Sequence, residues 1–290
     1  MRISESELII NGDGTVFHLH MRPDQLAGRV ILMGDPDRVE LCREYFDVIE
    51  CEHRSREFNW ITGMRASKRF TVLYTGIGTD NVDIVMTELD ALANVDFKTR
   101  EVKSEHRTLT ILRVGTCGAL QEEIPLGAYI FSHISIGFDN LMYWYKGIDS
   151  YALADYGKAF KEHMDWNPAL SAPYFVRNSE KLIKLFADCT YKGMTIAAPG
   201  FYGPQGRTVR AELVVPDLVE KVSAFEYDGR RITNFEMEGS AIAGLSALLG
   251  HECATVCCAV AHRVHKDANT DYKPRVRELL SLCFSKLAEI

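Results

Sequence analysis

The chain has 290 residues, 47% of them hydrophobic and 25% charged, and its 33 Lys and Arg against 40 Asp and Glu leave a net charge of −7. A chain this apolar can bury enough surface to offset its conformational entropy, which excludes collagen-like, low-complexity and disordered classes. The acidic balance excludes a protein that coats nucleic acid or a membrane surface, since both tasks need clustered positive charge. A protein acting on small molecules is expected.

In chain order, Arg29-Val-Ile-Leu-Met-Gly34, Phe70-Thr-Val-Leu-Tyr-Thr-Gly76, Leu109-Thr-Ile-Leu-Arg-Val-Gly115 and Gly127-Ala-Tyr-Ile-Phe-Ser-His-Ile-Ser-Ile-Gly137 are short runs, apolar on both faces and closed by glycine. Buried, mainly parallel strands read this way. Helices are expected over Asp83–Ala93, over Gly239–Leu249 with Gly250 as its stop, and over Lys273–Ala288 with Pro274 in its first turn. The alternation is that of an α/β protein. Roughly 150 residues per domain allow one or two domains, and with no internal repeat and no Gly, Ser or Pro-rich linker a single domain over 1–290 is the simpler reading. Two segments read as surface insertions: 96–107, whose charges alternate in sign and suggest a solvated excursion, and the aromatic-rich 138–175.

No apolar run approaches the roughly 20 residues of a membrane span, and Met1-Arg-Ile-Ser-Glu-Ser-Glu lacks the order of a signal peptide, so a cytoplasmic protein is expected. The eight cysteines (Cys42, Cys51, Cys117, Cys189, Cys253, Cys257, Cys258 and Cys283) form no CxxC pair. They are expected to be reduced thiols rather than a disulfide framework or metal site.

Several motifs could carry chemistry. Gly34-Asp-Pro-Asp-Arg38 puts a tight turn and a guanidinium at the carboxyl end of a strand, where open α/β sheets bind ligands, although an ordinary turn with a solvated Arg has the same sequence. Arg113 interrupts an apolar strand and needs an anion, either an oxyanion ligand or a protein carboxylate such as Glu88. Gly115-Thr-Cys-Gly118 follows at once and has the makings of a phosphate nest. Gly200-Phe-Tyr-Gly-Pro-Gln-Gly-Arg207 is either a surface loop or a site in which Gln205 and Arg207 match a planar ring with carbonyls and an N–H while Phe201 stacks on it. Asn234-Phe-Glu-Met-Glu238 sets two carboxylates two apart before a helix, suited to a ribose cis-diol with Met237 as an apolar floor, or to the helix dipole alone. His18, flanked by apolar residues, is a structural histidine or a site residue. No dinucleotide or Walker fingerprint, HExxH or Gly-x-Ser-x-Gly occurs.

Taken in order, Val16-Phe-His18-Leu, Gly34-Asp-Pro-Asp-Arg38, Arg56-Glu57-Phe58, Thr75-Gly-Ile-Gly78, Arg113-Val-Gly-Thr-Cys-Gly118, Phe201-Tyr-Gly-Pro-Gln205-Gly-Arg207 and Phe235-Glu-Met-Glu238 resemble the uridine phosphorylases of the nucleoside phosphorylase-I family, from Val16 to His265. The resemblance implies a single-domain, three-layer α/β/α fold whose central mixed sheet curls into a distorted barrel. It also implies that Gly34, Arg38, Arg113 and Thr116 hold phosphate, with Arg56 supplied by a neighbouring subunit. Thr116, Met237 and Glu238 would hold ribose, with the neighbour's His18 near the 5′-hydroxyl. Phe201, Gln205 and Arg207 would hold uracil, Gly118 would line the base pocket, and Arg263 would support the Gln205–Arg207 pair.

The activity implied is reversible phosphorolysis of uridine, with deoxyuridine or thymidine as further substrates, in which Arg207, Gln205 and Arg113 are the catalytic residues. Inorganic phosphate is then co-substrate, no metal or organic cofactor is needed, and a homodimer is the minimal unit, a hexamer being also allowed. In some members the glutamate matching Glu57 helps bind a monovalent cation; Asn81 stands where a serine is used there, which counts against the cation. Purine-specific relatives carry Ser-Asp in place of Ala261-His262. The rival functions are a purine nucleoside phosphorylase or nucleosidase of the same family, and a non-catalytic nucleoside-binding or storage protein.

Overall fold

Twelve strands join one mixed sheet in the computed structural model, which describes residues 2–290. The first part of the chain builds β1 (Arg29–Met33), α1 (Pro36–Leu41), β2 (Val48–Ser55), β3 (Phe58–Arg65), β4 (Lys68–Tyr74), α2 (Thr79–Asn94), the short β5 (Val95–Asp96) and β6 (Glu101–Val102), and β7 (Thr110–Ala119). The rest adds β8 (Tyr129–Gly137), α3 (Ala154–Met164), β9 (Tyr174–Arg177), α4 (Glu180–Leu185), β10 (Tyr191–Ala197), α5 (Leu218–Ala224), β11 (Glu226–Tyr227), β12 (Arg230–Glu236), α6 (Gly239–Leu249), β13 (Glu252–His262), β14 (Asp267–Ala268) and α7 (Lys273–Ala288).

The main strands run in the order β11-β12-β10-β8-β13-β7-β1-β4-β3-β2. β12 also pairs back onto β7, with Asn234 opposite Ala119 and Phe235 opposite Gly118. That pairing closes β12, β10, β8, β13 and β7 into a ring, the distorted barrel that the resemblance implies, and removes the sheet edges that would otherwise be exposed there. Beyond the ring, β1 lies parallel to both β7 and β4, and β2, β3 and β4 form an antiparallel meander.

Alternation along the strands assigns the layers. Val30 and Leu32 of β1 and Ile111 of β7 pack with α2 and α6, whereas Ile31, Met33, Leu112 and Val114 pack with α7 and α4. Helices therefore cover both faces, as continuous apolar strands require.

Two element bounds differ most from expectation, by four residues each. α2 starts at Thr79, not Asp83, because Gly78 turns the chain at φ 96° and lets the first turn form at once. β7 continues four residues past Gly115, because β13 on one side and β12 on the other pair with Gly118 and Ala119.

Neither segment read as a surface insertion is wholly superficial. In 96–107, Arg100 is buried and donates to the carbonyls of Ile3, Ser4 and Leu8, while Lys103 donates to that of Ala93 at 2.9 Å. In 138–175, Phe138, Tyr156, Phe160 and Phe175 are core residues, although Trp144 is 81% exposed. All eight cysteines are free, six of them buried, and among the described residues no helix is long and apolar enough to cross a membrane.

Phe284 of α7 anchors one face, with its ring 5.3 Å from Tyr45, 5.5 Å from Phe46 and 5.1 Å from Phe70. Phe284→Ala is expected to cost about 3–5 kcal/mol, because so many rings cannot collapse into the space left. Urea unfolding should show a lower midpoint at an unchanged slope.

Candidate active site

A cleft of about 190 Å³ opens where β1, β7, β12 and β13 end. Gly34 and Arg38 line it from the turn after β1, Arg113, Thr116 and Gly118 from β7, Met237 and Glu238 from the segment after β12, and Phe201, Gln205 and Arg207 from the loop after β10. Carboxyl ends of strands in α/β sheets are where such clefts form.

Arg113 is 5% exposed, and its partner is not Glu88. Its Nη1 lies 3.1 Å from Glu236 Oε2 and donates to Cys257 Sγ at 3.3 Å, while Nη2 donates to Glu238 Oε2. Glu236 also accepts from the backbone N–H groups of Glu238 and Gly239 at 2.9 Å, and Glu238 accepts from Gly78 N–H at 2.8 Å. Burial is the largest influence on Arg113 and favours its neutral form, but Glu238 and then Glu236 outweigh it, so its pKa is raised and it stays charged. Burial likewise pushes Glu236 up; Arg113 pulls it down and Glu238 adds to the rise. Glu88 is used elsewhere, accepting from the backbone N–H groups of His18 and Leu19 and sitting 2.6 Å from His18 Nδ1.

The expected phosphate nest does not form. Gly115 and Gly118 lie inside β7 and have no positive φ. Each glycine instead makes room for an arginine: a Cβ at Gly115 would overlap the Arg113 guanidinium, and one at Gly118 would come within 2.9 Å of Arg263 Cδ.

Arg263 joins the cleft from behind. Its Nη2 donates to the carbonyls of Gln205, at 2.9 Å, and Gly206, at 3.4 Å, so it fixes the backbone of the 200–207 loop. Arg207 donates to Gln205 Oε1 and to the Phe201 carbonyl, both at 2.6 Å, and its guanidinium carbon stands 3.8 Å above the Phe201 ring. Phe201 thus packs on its own loop's arginine. No carboxylate pairs with Arg207 or Arg263 among the described residues. Burial and then Arg263 lower the Arg207 pKa to about 10, which leaves it charged at neutral pH.

Arg38 sits nearly buried with Nε 3.3 Å from the Asp35 carboxylate that caps α1. Three expected site residues do not line the cleft: Arg263 packs behind Gly118 and the 200–207 loop, His18 is held by Glu88, and Arg56, in the β2–β3 turn at φ 53°, lies 4.9 Å over Phe17. The cleft also takes in Ile77, Cys117, Phe235 and Val260, to which the motifs give no role, and Glu236, the first carboxylate of the 234–238 motif. Only Glu236 had a readable signal, its spacing of two from Glu238.

Away from the cleft, Asp90, His106 and His251 converge within 4.8 Å. His251 Nδ1 accepts from Leu109 N–H at 3.2 Å, which leaves the ring proton on Nε2, the atom facing Asp90, and makes that atom a donor rather than a metal ligand. Glu57 is exposed, and the Asn81 amide donates to the Ile77 carbonyl.

The profile of the phosphorylase superfamily matches residues 29–288. The chain belongs to that superfamily. The uridine phosphorylase of Thermococcus kodakarensis is 26% identical over 87% of this chain and 79% of its own length, and that of Escherichia coli is 26% identical over 87% and 88%. A solved nucleoside phosphorylase of Trypanosoma brucei, described as showing uridine phosphorylase activity, superimposes with a TM-score of 0.89 at 29% identity, covering 98% of this chain and 100% of that one.

The glycine that admits the Arg113 guanidinium in this superfamily member can be tested directly. Gly115→Ala is expected to lower stability by roughly 1–3 kcal/mol through overpacking. Gly12→Ala, where nothing lies within 4 Å of the added carbon, should change the urea midpoint far less.

Proposed function

We propose that the protein is a uridine phosphorylase. The C1′–N1 bond of uridine breaks, a bond forms between C1′ and a phosphate oxygen, and the bonding pair leaves with uracil, which takes up a proton; the products are uracil and ribose 1-phosphate. The reading is carried by one observation: Gln205, Arg207 and Arg263 form an amide and double-guanidinium cluster that no carboxylate joins among the described residues, and Gln205 and Arg207 face the same cleft as Arg38, Arg113 and Glu238.

The chemistry needs no enzyme nucleophile. Arg38 and Arg113, with Gly34 and Thr116, hold phosphate below C1′, where its charge stabilises the developing oxocarbenium ion. Gln205 and Arg207 donate to the uracil carbonyls as the ring gathers negative charge, beside Phe201 and over Gly118, while Arg263 keeps their loop in place. Glu238, with Thr116 and Met237, grips the ribose hydroxyls. Inorganic phosphate is the co-substrate and no resident cofactor is invoked. Arg56 and His18 come from a second copy of the chain, which makes a homodimer the minimal unit. We read the chain as one catalytic domain of the cytoplasm.

A purine substrate is disfavoured by the residues at the end of β13. Ala261 lines the cleft with no ionisable group, and His262 is turned away, Nε2 toward the Gln121 carbonyl at 3.1 Å and Nδ1 accepting from His265 N–H.

Uracil release from uridine should require phosphate, whereas base release without phosphate would identify a hydrolase and binding without turnover a storage protein. Arg207→Ala is expected to lower kcat/KM for uridine by roughly 10²–10³, the usual effect of losing one preorganised donor; near-normal turnover would remove Arg207 from the chemistry. Glu238→Gln should lower kcat/KM for uridine about tenfold more than for 2′-deoxyuridine, and equal losses would take the carboxylate off the 2′-hydroxyl.

A further inference from the structure

Asp139 is a buried carboxylate to which the proposed reaction gives no role. It stands two residues past the end of β8, at the start of the aromatic segment, and no Lys, Arg or His forms an ion pair with it among the described residues. Hydroxyl and backbone donors surround it instead. Leu141 N–H donates to Oδ1 at 2.9 Å, the Tyr174 hydroxyl lies 2.9 Å from both oxygens, and the Ser240 hydroxyl donates to Oδ2 at 2.8 Å. Gly137 leaves the room for Tyr174, since a Cβ there would overlap its ring.

Ser240 is the second residue of α6, and Glu238 immediately precedes that helix. The positive end of α6 offsets part of the cost of a carboxylate with no cation. One turn further along, α6 rests on the same segment, because Gly244 leaves space for Met142, whose Sδ would lie 2.6 Å from an added Cβ. The aromatic segment therefore seats α6 at two points, and the polar one is next to the ribose end of the cleft.

We propose that Asp139 is a positioning residue for ribose recognition: through Ser240 it fixes the first turn of α6, and so holds Glu238 where it meets Arg113 and Gly78 N–H. The inference rests on the ribose role given to Glu238 above. A sideways shift of the turn would carry Glu238 off both partners, while Arg207, on another loop, would keep its place.

The test is the ratio of kcat/KM for uridine to that for 2′-deoxyuridine in Ser240→Ala and Asp139→Asn, each alone and combined with Glu238→Gln. Ser240→Ala is expected to lower the ratio about tenfold, the size of one weakened hydrogen bond to a charged group, and to leave it unchanged when Glu238→Gln is already present. A merely structural role would lower both activities by the same factor, and that unchanged ratio, or an equal fall of the ratio in the Glu238→Gln background, overturns the proposal. Ser240→Ala removes a single oxygen, so it decides the question even where Asp139→Asn fails to fold. Its crystal structure gives a separate readout: Glu238 displaced from Gly78 N–H supports the proposal, and Glu238 unmoved overturns it. If Glu238→Gln alone leaves the ratio intact, the ribose assignment has failed, and the crystal structure then settles the positioning by itself.

Discussion

A guanidinium enclosed by an apolar sheet has to be met by negative charge, because burying it unpaired would cost more than the fold can offset. Arg113 imposes that condition, and the neighbouring elements satisfy it together. Closure of the ring brings the end of β12 against β7, which delivers Glu236 and Glu238 to the two Nη atoms. Gly115 gives up its side chain to make the space. Glu236 then takes the backbone N–H groups of Glu238 and Gly239 where α6 begins, and Glu238 takes that of Gly78 where α2 begins. Two helix starts and two strands meet at one charge cluster, and the cluster is a wall of the cleft.

The loop after β10 handles charge in the opposite way. Arg207 and Arg263 lie near each other with no carboxylate partner among the described residues, and each is held by carbonyl oxygens and, for Arg207, by the face of Phe201. Carbonyls satisfy the geometry of a guanidinium without cancelling its charge. A positive, partly dehydrated surface is left facing the cleft, suited to a ring that becomes electron-rich when its bond to a sugar breaks. The net charge of −7 does not predict this, because field in a cleft depends on the few groups that line it.

Much of this was legible in the sequence. The bounds of α6 and α7 follow from Gly250 and Pro274, whose backbone constraints act locally. Arg113 announced its need for an anion because a charge inside an apolar run is anomalous without reference to the fold. Its partner was not legible: Glu88 was one candidate by chemistry, but it serves His18 and Leu19, and the true partners lie more than a hundred residues away, at and just past the end of a strand that meets β7 only once the ring closes. Gly115 and Gly118 read as a nest because glycine signals backbone freedom as often as it signals space.

The sequence by itself determined the α/β class, the family motifs and the identities of the polar groups, since each depends on residue types at short spacing. Tertiary structure alone decided which groups share the cleft and which arginines are paired with carboxylates. The reason is physical: an ion pair or a buried hydrogen bond is settled by distance in space and by desolvation, and ring closure sets both.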